Sequence, residues 1–279
     1  MARAISTYPY QHTMLGVSLL DQMRRAGFDR VEIYCARHHF DYTNASHVRE
    51  IAGWFSDAPV ALHSLHAPLY RGQEGDSPHS VISIAFLERQ RRQDAMDEIK
   101  RVLEVAERAP FRFLIVHIGM PGEEFDLRKF DAALTSLEHL RLFARQRGVE
   151  ILVENILNDL STPRRLVEFF VHAHMRDLRV CFDSGHAHLD GGVDEAVTLL
   201  HGAIASTHLH DNAGTRDEHM LPGEGGEGKV EWEKLIPALR REAGDVSLVL
   251  EVRGSEANPV HLDKAAAAAG KLERMWEET

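Results

Sequence analysis

The side chains in this sequence that could carry chemistry stand at the ends of short apolar runs. From the third run onward, nearly every run ends in an imidazole or a carboxylate. In chain order these residues are His66, His117, Glu154, Asp183 with the nearby His186, His208 with His210, and Glu251. One such residue is commonly a hydrogen-bonded surface group or a helix cap, but six consecutive strand ends of this kind indicate one shared site.

Three of these residues are carboxylates: Glu154, Asp183 and Glu251. Their charges would repel one another in one site, and a bound cation would offset that repulsion. We therefore predict a divalent metal ion. Carboxylate and imidazole ligands suit Mn²⁺, Zn²⁺, Co²⁺ or Mg²⁺, and the absence of thiolates argues against a structural zinc site. The sequence does not choose among the four metals or give the number of ions.

The segment HLHD contributes two histidines to this group. His208 and His210 are two residues apart on a strand and so share one face of it. Because His210 is nearer the strand end, we predict that it is the ligand. We expect His208 to pack or to hydrogen-bond behind the site.

Eight short runs rich in β-branched residues alternate with helical patterns. Several are almost continuously apolar, which is typical of parallel strands buried on both faces. The predicted strands are residues 4–6, 30–34, 60–65, 112–117, 149–154, 178–183, 204–210 and 246–251. The predicted helices cover residues 15–26, 47–55, 81–109, 127–147, a segment starting at Pro163, 230–242 and 261–277, with Asn44 and Thr162 as N-caps.

This alternation predicts the α/β class and a closed (β/α)8 TIM barrel formed by residues 1–279 as a single domain. A doubly wound dinucleotide-binding sheet is disfavoured because no G-x-G-x-x-G follows a strand. The tract PGEGGEG at residues 222–228 is predicted to be a flexible active-site loop. Residues 70–80 form a second long loop and a candidate lid.

The amino-acid composition indicates the broad class of protein. Of 279 residues, 44% are apolar and 27% charged, as in an ordinary globular protein. The net charge of −11 argues against capture of nucleic acid or anionic lipid. No apolar stretch is long enough for a membrane span and no secretory leader is recognisable, so a cytoplasmic enzyme is expected. Cys35 and Cys181 are interpreted as reduced thiols. The sequence leaves open whether the chain forms a homo-oligomer.

The ordered motifs resemble the xylose isomerase-like TIM-barrel superfamily. That superfamily includes sugar and sugar-phosphate isomerases, ketose 3-epimerases, inosose dehydratases and endonuclease IV. The resemblance extends from Ala4 to Glu251 and rests on the strand-end residues together with Asp183-x-x-His186, His210-x-Asn212 and Asp217-x-His219 followed by GEG.

Two branches of the superfamily imply different roles. In the isomerase and epimerase branch, one metal would be held by Glu154, Asp183, His210 and Glu251. The same branch implies that His186 and Arg216 hold substrate oxygens. In the endonuclease IV branch the same four residues would hold one zinc, and two further zincs would use His66, His117, His186, Asp217 and His219. Outside the first ligand set, the candidates for binding an additional metal ion or the substrate are His66, His117, His186, His208, Arg216, Asp217 and His219.

The function expected from this resemblance is a divalent-metal-dependent isomerase or epimerase of a sugar or sugar phosphate. Glu154 and Glu251 would move the proton through a metal-stabilised enediolate. The alternatives are an endonuclease IV-like zinc phosphodiesterase acting on abasic DNA, an inosose dehydratase-type lyase, and a barrel that binds metal or sugar without turnover. A small-molecule substrate is favoured because few basic residues stand on the candidate mouth loops. Nucleic acid is disfavoured without being excluded, and no membrane partner is expected.

Overall fold

The computed structural model describes residues 3–72, 80–175, 177–253 and 260–279. Within them, eight parallel strands close into a barrel in which each strand pairs with its sequence neighbour and β8 pairs with β1. The strands are β1 (Arg3–Ser6), β2 (Arg30–Tyr34), β3 (Ala61–His66), β4 (Phe113–Val116), β5 (Glu150–Glu154), β6 (Arg179–Asp183), β7 (Ile204–Leu209) and β8 (Ser247–Leu250). The predicted (β/α)8 barrel is confirmed.

Helices surround this barrel. They are α1 (Val17–Arg25), α2 (Ala45–Asp57), α3 (Arg89–Leu103), α4 (Leu127–Arg145), α5 (Pro163–His172), α6 (Ser184–Leu189), α7 (Val193–Leu199), α8 (Trp232–Ala243) and α9 (Leu262–Glu277). The predicted caps are confirmed: Asn44 accepts hydrogen bonds from the first turn of α2, and Thr162 accepts one from the first turn of α5. None of the described helices is long and apolar enough to cross a membrane.

The helices differ from the sequence prediction at two places. The helix predicted from residue 81 begins only at Arg89, because the preceding backbone makes other contacts: Val81 forms an antiparallel bridge with Tyr70, and the Ile84 carbonyl accepts from Ser136 Oγ. Between β6 and β7 lie α6 and α7, which the sequence analysis did not predict. They are separated at Gly191 and Gly192, whose φ values of 129° and 115° interrupt the helix.

The inside of the barrel changes from apolar to polar toward the carboxyl ends of the strands. A small apolar cluster fills its lower part and consists of Phe113, Ile115, Leu152, Cys181 and Ala205. Side chains two residues apart on a strand share a face. On three strands, therefore, the residue above this cluster is of a ligand type, at His117, Glu154 and Asp183. Cys35 and Cys181 are buried free thiols.

Candidate metal centre

Four buried residues converge at the carboxyl end of the barrel. Glu154 ends β5, Asp183 ends β6, His208 lies on β7 and Glu251 follows β8. Each offers one ligand atom, and these four atoms all lie within 4.8 Å of one another. The structure thus brings together the three predicted carboxylates.

The imidazole in this group is His208 and not the predicted His210. The register of β6 and β7 pairs Asp183 with His208, which places the two residues at the same height in the barrel. His210 shares the same face but lies one step higher, about 7 Å further along the strand direction. It has left the β7 ladder and belongs to a second group.

The donor atoms of the first group fit a divalent ion. His208 Nδ1 lies 3.1 Å from Glu154 Oε1 and 3.5 Å from Glu251 Oε2. This nitrogen is buried and, among the described residues, has no hydrogen-bond partner of acceptable geometry. Burial opposes the charged form of His208, but the surrounding acidic groups raise its pKa well above the ordinary value, so a proton on Nδ1 faces the two carboxylates in the metal-free protein. A divalent ion would take the place of that proton, and carboxylate with imidazole is a donor set for Zn²⁺, Mn²⁺, Co²⁺ or Mg²⁺.

The two glutamates of this group differ in their proton affinity. Burial raises the pKa of Glu251 to about 7. The charge of His208 opposes this rise, and the negative charge of Glu154 adds to it. For Glu154, burial also favours the protonated form, but His208 and His117 outweigh it and hold its pKa well below the ordinary value. In the metal-free protein, one carboxylate is therefore held ionised while the other can exchange a proton near neutral pH.

A second group lies beside the first and consists of His186, His210, Asp217 and His219. Asp217 Oδ2 lies 3.1 Å from His219 Nε2 and 3.5 Å from His186 Nε2. The rings of His210 and His219 stack with centroids 3.7 Å apart. Asp183 connects the two groups, because both of its oxygens lie 3.0 Å from His210 Nε2.

Opposite charges stabilise the second group without an ion. Burial opposes the charged form of His186, but Asp183 and Asp217 outweigh it and raise its pKa to about 10. Burial likewise opposes the charged form of Asp217, and the surrounding histidines nevertheless lower its pKa. A divalent ion at these four residues would compete with the protons that now neutralise them.

His66 and His117 approach the first group from β3 and β4. Both meet the same atom, Glu154 Oε2, at 3.3 Å from His66 Nε2 and 3.0 Å from His117 Nε2. His66, Glu154 and His208 also form a third set of ligand atoms within 4.8 Å of one another. Glu154 is thus shared between two sets.

Arg216 does not join these groups. Its side chain is 81% exposed, and its Nε donates to Glu218 Oε1 at 3.2 Å. In this structure it makes a surface ion pair. Arg216 is not among the described residues that line the cleft, and the substrate contact predicted for it stays a prediction.

The glycine-rich loop is anchored from beneath by Asp211. This buried carboxylate accepts hydrogen bonds from Gly223 N at 2.7 Å, from Val230 N at 2.9 Å and from Trp232 Nε1 at 3.0 Å. Gly225 is packed so closely that a Cβ there would lie 2.7 Å from Asp211 Oδ1. The loop predicted to be flexible is therefore tied down near both of its ends. Most of the candidate lid, residues 73–79, lies outside the described residues.

A cleft of about 120 Å³ opens above the first group. Sequence reasoning missed two aromatic residues that line it, Tyr8 just after β1 and Tyr34 at the end of β2. The Tyr8 ring lies 5.2 Å from the His219 ring, and its hydroxyl accepts from Arg253 Nη2 at 2.9 Å. It also missed Glu32, a buried carboxylate beneath His208; an acidic residue inside the apolar strand RVEIY was the available signal.

Comparison with known proteins agrees with this architecture. The family model described as xylose isomerase-like TIM barrel matches residues 20–275. The uncharacterized protein MJ1614 of Methanocaldococcus jannaschii is 26% identical over 165 residues, which are 59% of this chain and 64% of that protein, slightly less than two thirds of its length.

Solved structures share the fold at low sequence identity. A D-tagatose 3-epimerase-like protein superposes with a TM-score of 0.77 at 21% identity, over 100% of this chain and 97% of the other. The IOLI protein, solved with a binding zinc atom, has a TM-score of 0.77 at 17% identity, over 100% and 99% of the two chains.

Proposed function

Because the chain belongs to the xylose isomerase-like TIM-barrel family, we propose that it is a divalent-metal-dependent isomerase or epimerase of a sugar or sugar phosphate. The observation that carries this proposal is the convergence of Glu154 and Glu251 on one buried group suited to a metal ion. The similarity of the fold to an epimerase-like protein and to a zinc-containing protein supports it.

The residues that would hold the ion are Glu154, Asp183, His208 and Glu251. When bound, a divalent ion supplies a Lewis acid that stabilises negative charge developing on a substrate oxygen. The second group would hold a second ion or bind substrate hydroxyls through His186 and His219, which line the same cleft.

Proton transfer is the task of the two glutamates. Glu154 lies on β5 and Glu251 follows β8, so the two carboxylates approach the cleft from different sides of the barrel. The ionised Glu154 is suited to take a proton from a carbon next to a carbonyl, and Glu251 is suited to return one. Transfer to the opposite face of the same carbon gives an epimer, and transfer between adjacent carbons gives an aldose–ketose pair.

A zinc-dependent phosphodiesterase is the second candidate, and a specific observation favours it. The three sets of ligand atoms would allow several ions to stand next to one another, as hydrolysis with more than one metal requires. Against it, Arg253 is the one lysine or arginine among the described residues that line the cleft, which is a poor surface for a duplex.

The test is exchange of a carbon-bound proton with solvent. The protein loaded with Mn²⁺ or Co²⁺ is incubated in deuterated water with ketoses, aldoses and their phosphates, and deuterium incorporation is followed by NMR. We expect incorporation into at least one sugar and loss of it in Glu154→Gln and Glu251→Gln. Glu98→Gln is the matched control, since Glu98 is an equally buried glutamate that binds Arg37 and Tyr42 away from the cleft.

An abasic-site duplex is offered in parallel. Cleavage of that duplex without exchange in any sugar would replace the proposal by the phosphodiesterase. Metal analysis of protein purified without chelator adds a second criterion: one ion per chain, or two if the second group is also filled, supports the isomerase or epimerase, and three support the phosphodiesterase.

A further inference from the structure

Glu32 is a wholly buried carboxylate on β2, inside the barrel and beneath the first metal group. Its Oε1 lies 3.0 Å from His208 Nε2, and its Oε2 accepts a hydrogen bond from Ser64 Oγ at 2.7 Å. Both of its oxygens are therefore held by side chains. Burial of a carboxylate inside a protein is unfavourable unless it is paired and hydrogen-bonded.

This contact crosses the barrel. Strands β2 and β7 are not neighbours, since β1 and β8 lie between them on the shorter path around the barrel. The contact between Glu32 and His208 therefore does not contribute to the pairing of neighbouring strands. The interior below holds an apolar cluster together with His63, whose Nε2 lies 3.2 Å from Ser206 Oγ. Burial lowers the pKa of His63 to about 4, so this part of the interior is packed without a charge. The carboxylate is more readily explained by what it does to His208.

The contact fixes which ring nitrogen carries the proton. A carboxylate has no proton to donate, so Glu32 can only accept from His208 and Nε2 must be the protonated nitrogen. In the neutral ring the lone pair is then on Nδ1. That is the buried atom without a hydrogen-bond partner among the described residues, and it faces Glu154 and Glu251.

We propose that Glu32 is a positioning residue that holds His208 in the tautomer and orientation in which Nδ1 is a metal ligand. The inference rests on the metal group of the proposed function and extends it beyond the ligands themselves. Carboxylates that accept from the second nitrogen of a ligating histidine orient the ring and strengthen it as a donor. Glu32 belongs to none of the three sets of ligand atoms and does not line the cleft, so it would act through His208.

The experiment measures zinc affinity in the full-length apoprotein by titration against a competing chelator. We expect the dissociation constant of the tightest site to rise about tenfold in Glu32→Gln and about 100-fold in Glu32→Ala. Glu32→Gln retains the side-chain volume, so it keeps the test valid if Glu32→Ala does not fold. Glu98→Gln is again the matched control and should change stability without changing zinc affinity.

A second readout reports the tautomer directly. Protein labelled with ¹⁵N in its histidine rings is examined by NMR in the zinc-loaded state, with the His208→Gln spectrum used for assignment. We expect a proton on Nε2 and the metal on Nδ1 of His208 in the wild type. This pattern should be lost or in exchange in Glu32→Gln, which a merely structural role for Glu32 would not produce.

The outcomes separate the two proposals. If the wild type binds zinc and both Glu32 variants bind it within twofold of the wild type, the positioning role is overturned while the metal group stands. A proton on Nδ1 in the zinc-loaded wild type would also overturn it. If the wild type binds no divalent ion at all, the metal group of the proposed function fails, and the role of Glu32 fails with it.

Discussion

Gly185 lies directly against the imidazole of His210: a Cβ at this glycine would be 2.5 Å from Nδ1 and 2.8 Å from Nε2 of that ring. The lack of a side chain lets His210 occupy the space between Asp183 and His219. Gly185 itself stands in α6, one residue before His186. A single glycine thus determines whether the second group can assemble.

Gly185→Ala is expected to displace His210 and to disrupt the second group while leaving the barrel folded. Binding of a second zinc equivalent should weaken at least tenfold, because a carbon less than 3 Å from two ring atoms forces the imidazole to move. Zinc titration followed by calorimetry measures this. Gly53→Ala is the control: nothing lies within 4 Å of its Cβ position in α2, so metal binding should not change and stability should rise slightly. Unchanged binding of two equivalents in Gly185→Ala would contradict the prediction.

Removal of metal is expected to lower the melting temperature. Without an ion, Glu154, Asp183 and Glu251 face one another inside the barrel, and metal at about 100 times its dissociation constant contributes about 3 kcal/mol to the free energy of unfolding. For a chain of this size we expect a fall of about 5–10 °C on adding chelator. Asp183→Asn should show a smaller difference between metal-loaded and chelated samples. Identical melting curves for the wild type with and without chelator would refute the coupling.

The sequence predicts much of this architecture because strand ends in a barrel are set by local pattern. The runs that end in Glu154 and Asp183 are apolar and continuous, so both the strand and the end of it can be recognised. The level of a side chain along the barrel axis is not determined by local sequence. It depends on the register of β6 with β7, where a shift at Val180 and Cys181 aligns Asp183 with His208. Periodicity shows that His208 and His210 share a face of the strand, but it cannot show which of them lies level with Asp183.

Other features depend on contacts between distant segments. The helix predicted from residue 81 begins later because Val81 pairs with Tyr70 instead. Glu32 is an acidic residue within an apolar strand, and its meaning depends on His208, 176 residues away. Ligand roles of the predicted site residues, including His210, stay predictions.

Asp211→Asn is expected to release the glycine-rich loop from the barrel. The Asp211 carboxylate accepts from the backbone amides of Asn212, Gly223 and Val230 and from the Trp232 indole, two bonds at each oxygen. Asparagine has an NH₂ group in place of one oxygen, so it cannot accept the two bonds made there. Because bonds to a charged acceptor are individually strong, we expect a loss of about 3 kcal/mol in the free energy of unfolding. Hydrogen exchange should increase in residues 212–230 more than in β1–β5. Uniform exchange across the barrel would contradict a role confined to the loop.

His39 is expected to make stability depend on pH below neutrality. It is wholly buried, and its Nδ1 donates to the Thr13 carbonyl at 2.6 Å, so Nε2 accepts from Thr7 Oγ1 at 2.9 Å. Burial is the main cause that lowers the pKa of His39 to about 4, with help from neighbouring histidine charges. In the unfolded chain the same ring takes a proton near pH 6.5.

The unfolded state therefore binds the proton first as the pH falls. The stability from the neutral His39 is complete above about pH 6.5, is lost progressively down to about pH 4, and amounts to about 3 kcal/mol over that window. His39→Gln should be less stable than the wild type at pH 8, and the two free energies of unfolding should converge by about 3 kcal/mol toward pH 4, when measured by urea denaturation. The other buried histidines are present in both proteins, so their contributions cancel in the difference between the two free energies of unfolding. Parallel curves over pH 4–8 would show that His39 is protonated in the native state or exposed to water.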